Sequence, residues 1–216
     1  MAIEIYALRH GQSMGNAGHR TEIGSTVELT DLGRIQAEAI ASSWDVEPDF
    51  IVVSSYLRTQ KTADPTWKRF PAVDCEVWQI QEFSYLSAVR YANTTTQERR
   101  SKVIEFWTRG DASFRDDVGC ESFSDLIART QRCKAHLDYI FKMGAKRVFM
   151  FSHSQFLSVL QRQLLGTALS DPNEEMKAVW EQLERSQIPN GQGYIARFDG
   201  VSWTTEPYNP ANRLIR

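Results

Sequence analysis

The sequence predicts an α/β fold: a three-layer α/β/α sandwich on a mostly parallel central sheet, with a small lobe over it. Three observations predict it. Strand-like runs take turns with helical patterns along most of the chain, the order that parallel strands need for their crossovers. Two of the runs, "DFIVV" at 49–53 and "RVFMF" at 147–151, are apolar at nearly every position, as strands covered on both faces must be. Only near the end does a hairpin pattern appear, "GYIARFDGVSWTTE", turned at Asp199-Gly200. The 216 residues suit one domain, 1–216, with the lobe drawn from residues 83–120.

The first strand follows from Ile3, Ile5 and Ala7 alternating with Glu4 and Tyr6, and it stops at the Gly11 turn. "ELTDLGRIQAEAIASSW" reads as a helix with Thr30 as N-cap and Leu32, Ile35, Ala39 and Ile40 as its apolar face. After the second strand, "YLRTQKTADPTWKRF" is helical, kinked or restarted at Pro65. "DCEVWQI" at 74–80 reads as a third strand. A short helix spans about Thr96 to Arg109 and ends at Gly110; "DASFRDDVGC" is a loop. The next helix carries its own start signal, Ser122 with Asp125, and an apolar stripe of Phe123, Leu126, Thr130, Cys133, Leu137 and Ile140 before Gly144. The fourth strand then runs into a helix through "FLSVLQRQLLG", and a further helix covers about 173–186.

Composition excludes several functions. Net charge is −2, from 25 Lys and Arg against 27 Asp and Glu, so no basic field points to nucleic acid or to an anionic membrane. Cys75, Cys120 and Cys133 lie far apart with no C-x-x-C spacing, so reduced thiols in a cytoplasmic protein are expected rather than disulfides or zinc. The opening "MAIEIYALRH" reads as a strand and not as a signal peptide, and no apolar run approaches the roughly 18 residues of a membrane span. There is no H-E-x-x-H and no D-x-D cluster, so neither metal nor cofactor is expected.

The fold class locates the chemistry, because ligands of an open parallel sheet bind outside the carboxyl ends of its strands. Arg9, His10 and Gly11 follow the first strand. Ser54 and Ser55 follow the second, with Arg58 one turn on. Glu82 lies near the end of the third, and Ser152, His153 and Ser154 follow the fourth. Singly, an arginine there is a surface charge and a histidine a turn residue. Together they place two imidazoles, two guanidiniums and a carboxyl at one edge. Arginine forks match phosphate oxygens, a helix starting after His153 adds backbone N–H groups, and Gly11 allows close approach of the backbone. An imidazole can carry a phosphoryl group covalently, and a carboxylic acid can protonate the departing oxygen. His136, on a long helix, reads as structural or solvated, and His19 as a loop residue near the opening motif.

These residues carry a resemblance. "LRHGQSMGN" is similar to the R-H-G-E/T-x-x-x-N signature of the histidine phosphatase superfamily, also called the phosphoglycerate mutase-like family. "LTDLGRIQA", "VVSSYLRTQKTA", "GCESFSDLIAR", "FMFSHSQFLSVL" and "IPNGQGYIARFDG" resemble its later segments in family order, over about residues 3 to 200. The resemblance implies that His10 is the nucleophile, that Arg9, Arg58 and His153 bind the phosphoryl oxygens, that Asn16 contacts phosphate, and that Glu82 donates the proton, with Glu76 its competitor. Gln12 and Ser154 depart from the family, which most often has Glu and Gly there.

The expected activity is metal-independent hydrolysis of a small phosphorylated substrate through a phosphohistidine. The alternatives are mutase-type phosphoryl transfer and a non-catalytic phospho-ligand binder. "ERR" at 98–100 is similar to the mutases' arginine pair, but the run is read in preference as a solvated helix face. Phe83, Tyr85 and Leu86, with the 83–120 lobe, are expected to cover the pocket and to favour a partly hydrophobic leaving group.

Overall fold

Strand β1 (Ile3–Arg9) lies in the interior of a six-stranded sheet in the computed structural model, which describes residues 2–22 and 24–210. The other strands are β2 (Phe50–Val53), β3 (Cys75–Val77), β4 (Arg147–Ser152), β5 (Gly193–Phe198) and β6 (Trp203–Tyr208), in the order β3-β2-β4-β1-β5-β6. β1 to β4 are mutually parallel, and the β5–β6 hairpin adds two antiparallel strands beside β1. The sheet is therefore mostly parallel, with helices on both faces.

Side-chain alternation divides the core. Ile3, Ile5, Ala7, Val52, Val148 and Met150 face one side, under α4 (Phe123–Lys142), α5 (Ser154–Leu164) and α6 (Pro172–Arg185). Leu8, Ile51, Val53, Phe149 and Phe151 face the other, with Ile40 and Trp44 from α1 (Asp31–Ser42) and its end, and Ala63 from α2 (Leu57–Arg69). Both faces are dry, which is why the central strands are continuously apolar. α3 (Thr96–Thr108) belongs to the α6 side, where Trp107 stacks on Trp180 at 5.5 Å between ring centroids.

Local signals act where expected. Thr30 accepts from Gly33 N, and Ser122 and Asp125 form a reciprocal capping box at the start of α4. Three expectations need correction. The buried face of α1 is Gly33, Ala37, Ala39, Ile40 and Ala41, whereas Leu32 and Ile35 are 42% and 56% exposed. Small residues let this helix approach the opening loop closely, and a reading weighted by side-chain size passes over them. α2 runs unbroken through Pro65, because Lys61, whose carbonyl loses a partner there, lies on the exposed side. β3 has three residues instead of seven: past Val77 the carbonyls of Gln79, Ile80 and Gln81 bond to the side chains of Arg129 and Ser152, not to a strand.

Candidate active site

The carboxyl ends of β1, β2 and β4 open onto a cavity of about 460 Å³ lined by Arg9, His10, Asn16, Tyr56, Arg58, Glu82 and Ser154 among others. His10 and His153 are 3% and 0% exposed, with ring centroids 5.1 Å apart.

Hydrogen bonds fix the state of each ring. The Nδ1 of His10 lies 2.7 Å from Gly11 O, a pure acceptor, so Nδ1 carries the proton and Nε2 holds the lone pair. That lone pair accepts from Arg58 Nε at 3.0 Å. Arg58 Nη2 donates to His153 Nδ1 at 3.1 Å, which puts the His153 proton on Nε2, 2.8 Å from Ser54 Oγ. Ser54 Oγ in turn donates to Thr59 Oγ1 at 2.7 Å, and Thr59 Oγ1 donates to Tyr56 O at 2.6 Å. Both imidazoles are thus neutral, each with a defined tautomer. Burial pushes both well below the usual histidine range, and the nearby Arg58 and Arg9 charges push the same way.

The two arginines differ in how they are held. Arg58 is 9% exposed, uses Nη1 on Gly24 O at 2.5 Å, and is lowered by burial to about 10, so it stays charged at neutral pH. Tyr56 lies under it, 4.8 Å from ring centroid to Cζ, and meets His153 edge-on. Arg9 is anchored through Nη1 on Ile188 O at 2.7 Å, while among the described residues its buried Nε has no hydrogen-bond partner. A buried guanidinium N–H of this kind is suited to an anionic oxygen.

Glu82 stands at the N-terminus of α5. Its Oε1 accepts from the backbone N–H groups of Phe83 at 3.1 Å, Gln155 at 3.2 Å and Phe156 at 3.4 Å. Burial raises its pKa above the ordinary 4.5, opposed by Arg58, Arg9 and these N–H bonds. Glu76 is elsewhere, accepting from Trp78 Nε1 at 2.7 Å.

Asn16 lies on the cavity wall. Its Oδ1 accepts from Ser13 Oγ at 2.9 Å and from Asn190 Nδ2 at 3.1 Å. Gly11 is packed where a side chain would not fit. It is not on the cavity wall, its N–H goes to Thr62 Oγ1, and a Cβ there would sit 2.4 Å from Gly33 O. It is glycine because α1 packs against it. His19 is exposed, and exposed His136 stacks on Trp78 at 4.2 Å, away from the cavity.

Two contributors were not legible as strand ends. Tyr56 follows the second strand by three residues. Asn190 bonds to His10 O at 3.0 Å as well as to Asn16. It comes from the loop before β5, and an antiparallel strand presents its N-terminal end where its parallel neighbours present their C-terminal ends. The "IPNG" turn was its only signal. Of the arginines in "ERR", Arg100 pairs with Glu184 at 2.8 Å, and Arg99 bonds to Thr94 while lining the outer cavity, so they do not form a joint clamp.

The fold and this edge define a protein with paired neutral imidazoles and paired guanidiniums at the switch point of a doubly covered sheet. The chain belongs to the histidine phosphatase superfamily (branch 1), whose family model matches residues 5–206. Among solved structures it is similar to the α-ribazole phosphatase of Shigella flexneri, with 19% identity, TM-score 0.72, and coverage of 97% of this chain and 96% of that one. It is also similar to a mycobacterial glucosyl-3-phosphoglycerate phosphatase, with 24% identity, TM-score 0.72, and coverage of 97% and 99%. A phosphoserine phosphatase of Entamoeba histolytica, solved with phosphoserine, aligns at 18% identity and TM-score 0.69 over 99% and 98% of the two chains. No curated protein matches the chain. Among the described residues no helix is long and apolar enough to cross a membrane, and no cluster of His, Cys, Asp and Glu could hold a metal ion.

Proposed function

We propose that the protein hydrolyses phosphate monoesters through a phosphohistidine on His10, with Glu82 as proton donor and without a metal. The observation that carries this reading is the unprotonated Nε2 of His10, bonded to Arg58 at the wall of a cavity that the Glu82 carboxyl also lines. Arg58 Nε–H occupies the lone pair until substrate arrives. An incoming phosphoryl anion attracts the guanidinium more strongly than a neutral imidazole does, so Arg58 turns its donors to the phosphoryl oxygens. Arg9 Nε and the Asn16 amide supply further donors. Release of Arg58 also frees His153 Nδ1, and a proton brought in by the monoanionic ester passes to it, which leaves the dianion in the site and makes His153 a charged donor to the transition state. Nε2 attacks phosphorus, the ester P–O bond breaks, and Glu82 gives its proton to the leaving oxygen. As a carboxylate, Glu82 then accepts a proton from the water that attacks the phosphohistidine.

The leaving group points toward the outer cavity, where Leu86, Tyr91, Val27 and Val103 give apolar walls and Arg99 one cation. These suit a partly hydrophobic alcohol. The divided arginines at 99 and 100 favour hydrolysis over mutase-type transfer. The substrates named for the similar phosphatases are candidates for a first panel, and the site is assigned to small phosphorylated molecules.

The test is hydrolysis of 4-nitrophenyl phosphate with EDTA present. Turnover is expected for the wild type and loss by at least about a thousandfold for His10→Ala, since the nucleophile itself is removed. Phosphoenzyme trapped with substrate should be labile to acid and stable to base. Equal turnover by His10→Ala, or an acid-stable adduct, would overturn the assignment.

A further inference from the structure

One segment in family order, "GCESFSDLIAR", supplies no group to the cavity wall, yet it contains a buried ion pair whose every bond leads to the proton-donor segment. Arg129 is 4% exposed and meets Glu121 with a two-pronged fork, Nε to Oε1 at 2.8 Å and Nη2 to Oε2 at 2.9 Å. Its remaining nitrogen, Nη1, donates to Gln81 O at 2.7 Å and to Gln79 O at 3.2 Å. Glu121 Oε2 in turn accepts from Ser84 N at 3.0 Å. The pair thus grips the backbone on both sides of Glu82, at 79 and 81 before it and at 84 after it. The guanidinium also lies 5.0 Å over the ring of Phe156, whose N–H is one of the three on the Glu82 carboxyl.

We propose that Glu121 and Arg129 are positioning residues for the reaction, fixing the 79–84 segment so that the Glu82 carboxyl stands beside the departing oxygen. This rests on Glu82 being the proton donor. The segment has no regular structure of its own: β3 ends at Val77, and the next helix starts at Thr96. Its geometry is set mostly by side chains, namely this pair together with Ser152 Oγ on Ile80 O at 2.6 Å and Tyr56 Oη against Ser84 Oγ at 2.8 Å, beside one backbone bond from Glu121 N to Ser84 O at 3.0 Å. Lysine cannot replace the fork, since it offers a point charge where four acceptors need planar donors. Glutamine at 121 keeps the shape and one acceptor but gives up the charge that balances a buried cation.

The decisive measurement is kcat/KM of Arg129→Lys, Glu121→Gln and Glu82→Gln over a series of phosphate esters. The series runs from 2,4-dinitrophenyl phosphate, whose phenolate leaves unaided, to glycerol 2-phosphate, whose alkoxide needs the proton. A displaced acid costs only the esters that need it. Both positioning variants are expected to lose about tenfold or more on glycerol 2-phosphate and little on the dinitrophenyl ester, parallel to a larger loss in Glu82→Gln, as removal of general acid catalysis predicts. Equal losses across the series, or none, in both positioning variants while Glu82→Gln steepens would overturn the positioning role alone. A Glu82→Gln profile with the wild-type slope would overturn the proton-donor reading on which it rests. If thermal melting shows Arg129→Lys unfolded, the milder Glu121→Gln decides the matter.

Discussion

At the scale of single residues, the site is defined by protonation as much as by position. In the proposed reaction, attack requires an unprotonated His10, which burial and two guanidiniums hold well below the ordinary 6.5. Departure of a poor leaving group in that reaction requires a protonated Glu82, which burial holds above 4.5. The environment thus moves the two groups away from their solution values in the directions their tasks demand. On lowering pH, activity is lost only where His10 gains its proton, below the usual histidine range. On raising pH, activity on glycerol 2-phosphate is lost as Glu82 gives up its proton. The rate profile should therefore be bell-shaped, and Glu82→Gln should be slower overall while losing the alkaline limb. The substrate's own ionisation is common to both enzymes, so the comparison isolates the residue. An alkaline limb of unchanged position in Glu82→Gln would assign that limb to another group.

At the scale of elements, the opening loop depends on how closely α1 can approach it. Gly33 is the second residue after Asp31, and a Cβ there would lie 2.1 Å from Gln12 O, a backbone atom that cannot yield alone. Gly33→Ala should push α1 away from residues 11–16, cost about 1–3 kcal/mol as overpacking does, and raise KM by displacing Asn16. Urea unfolding and steady-state kinetics check both effects; a stable variant with unchanged KM would show that the loop is placed by other contacts. The same helix shows what the sequence conceals. The central strands were legible because burial on two faces demands apolar residues at successive positions, and α4 because its cap is written in two side chains. The buried face of α1 was not, since it is made of glycine and alanine, and Leu32 and Ile35 point outward. Residues 78–95 were not, because Arg129, Ser152 and Glu121 shape much of them from distant parts of the chain. The site divides likewise. His10, Arg58 and His153 follow from strand ends, whereas the Ser54–Thr59 relay and Asn190 depend on contacts between elements.

At the scale of the whole molecule, a buried site of neutral histidines sets how stability responds to acid. Folded His10 and His153 are depressed, so each contributes stability that is complete above the unfolded value of 6.5 and is lost as pH falls toward the folded value. Glu82 is raised and has the opposite sign: its contribution is complete below 4.5 and is lost as pH rises through the folded value. Surface carboxylates such as Asp117, held below 3.8 chiefly by the Val118 N–H, act only in more acid solution. As pH falls below 6.5, unfolding takes up protons at the two histidines, each lowering stability by up to about 1.4 kcal/mol per pH unit, and Glu82 offsets one of them wherever its folded form keeps a proton that its unfolded form has released. His153→Asn should flatten the slope by one proton, and Glu82→Gln should remove the offset. Urea midpoints measured from about pH 5 to about pH 7.5 test this. A His153→Asn variant with the wild-type slope would mean that His153 folds already charged. A wild type whose stability is flat across that window would mean the same of both imidazoles, and the His10 lone pair on which the proposed chemistry depends would then not exist in the resting protein.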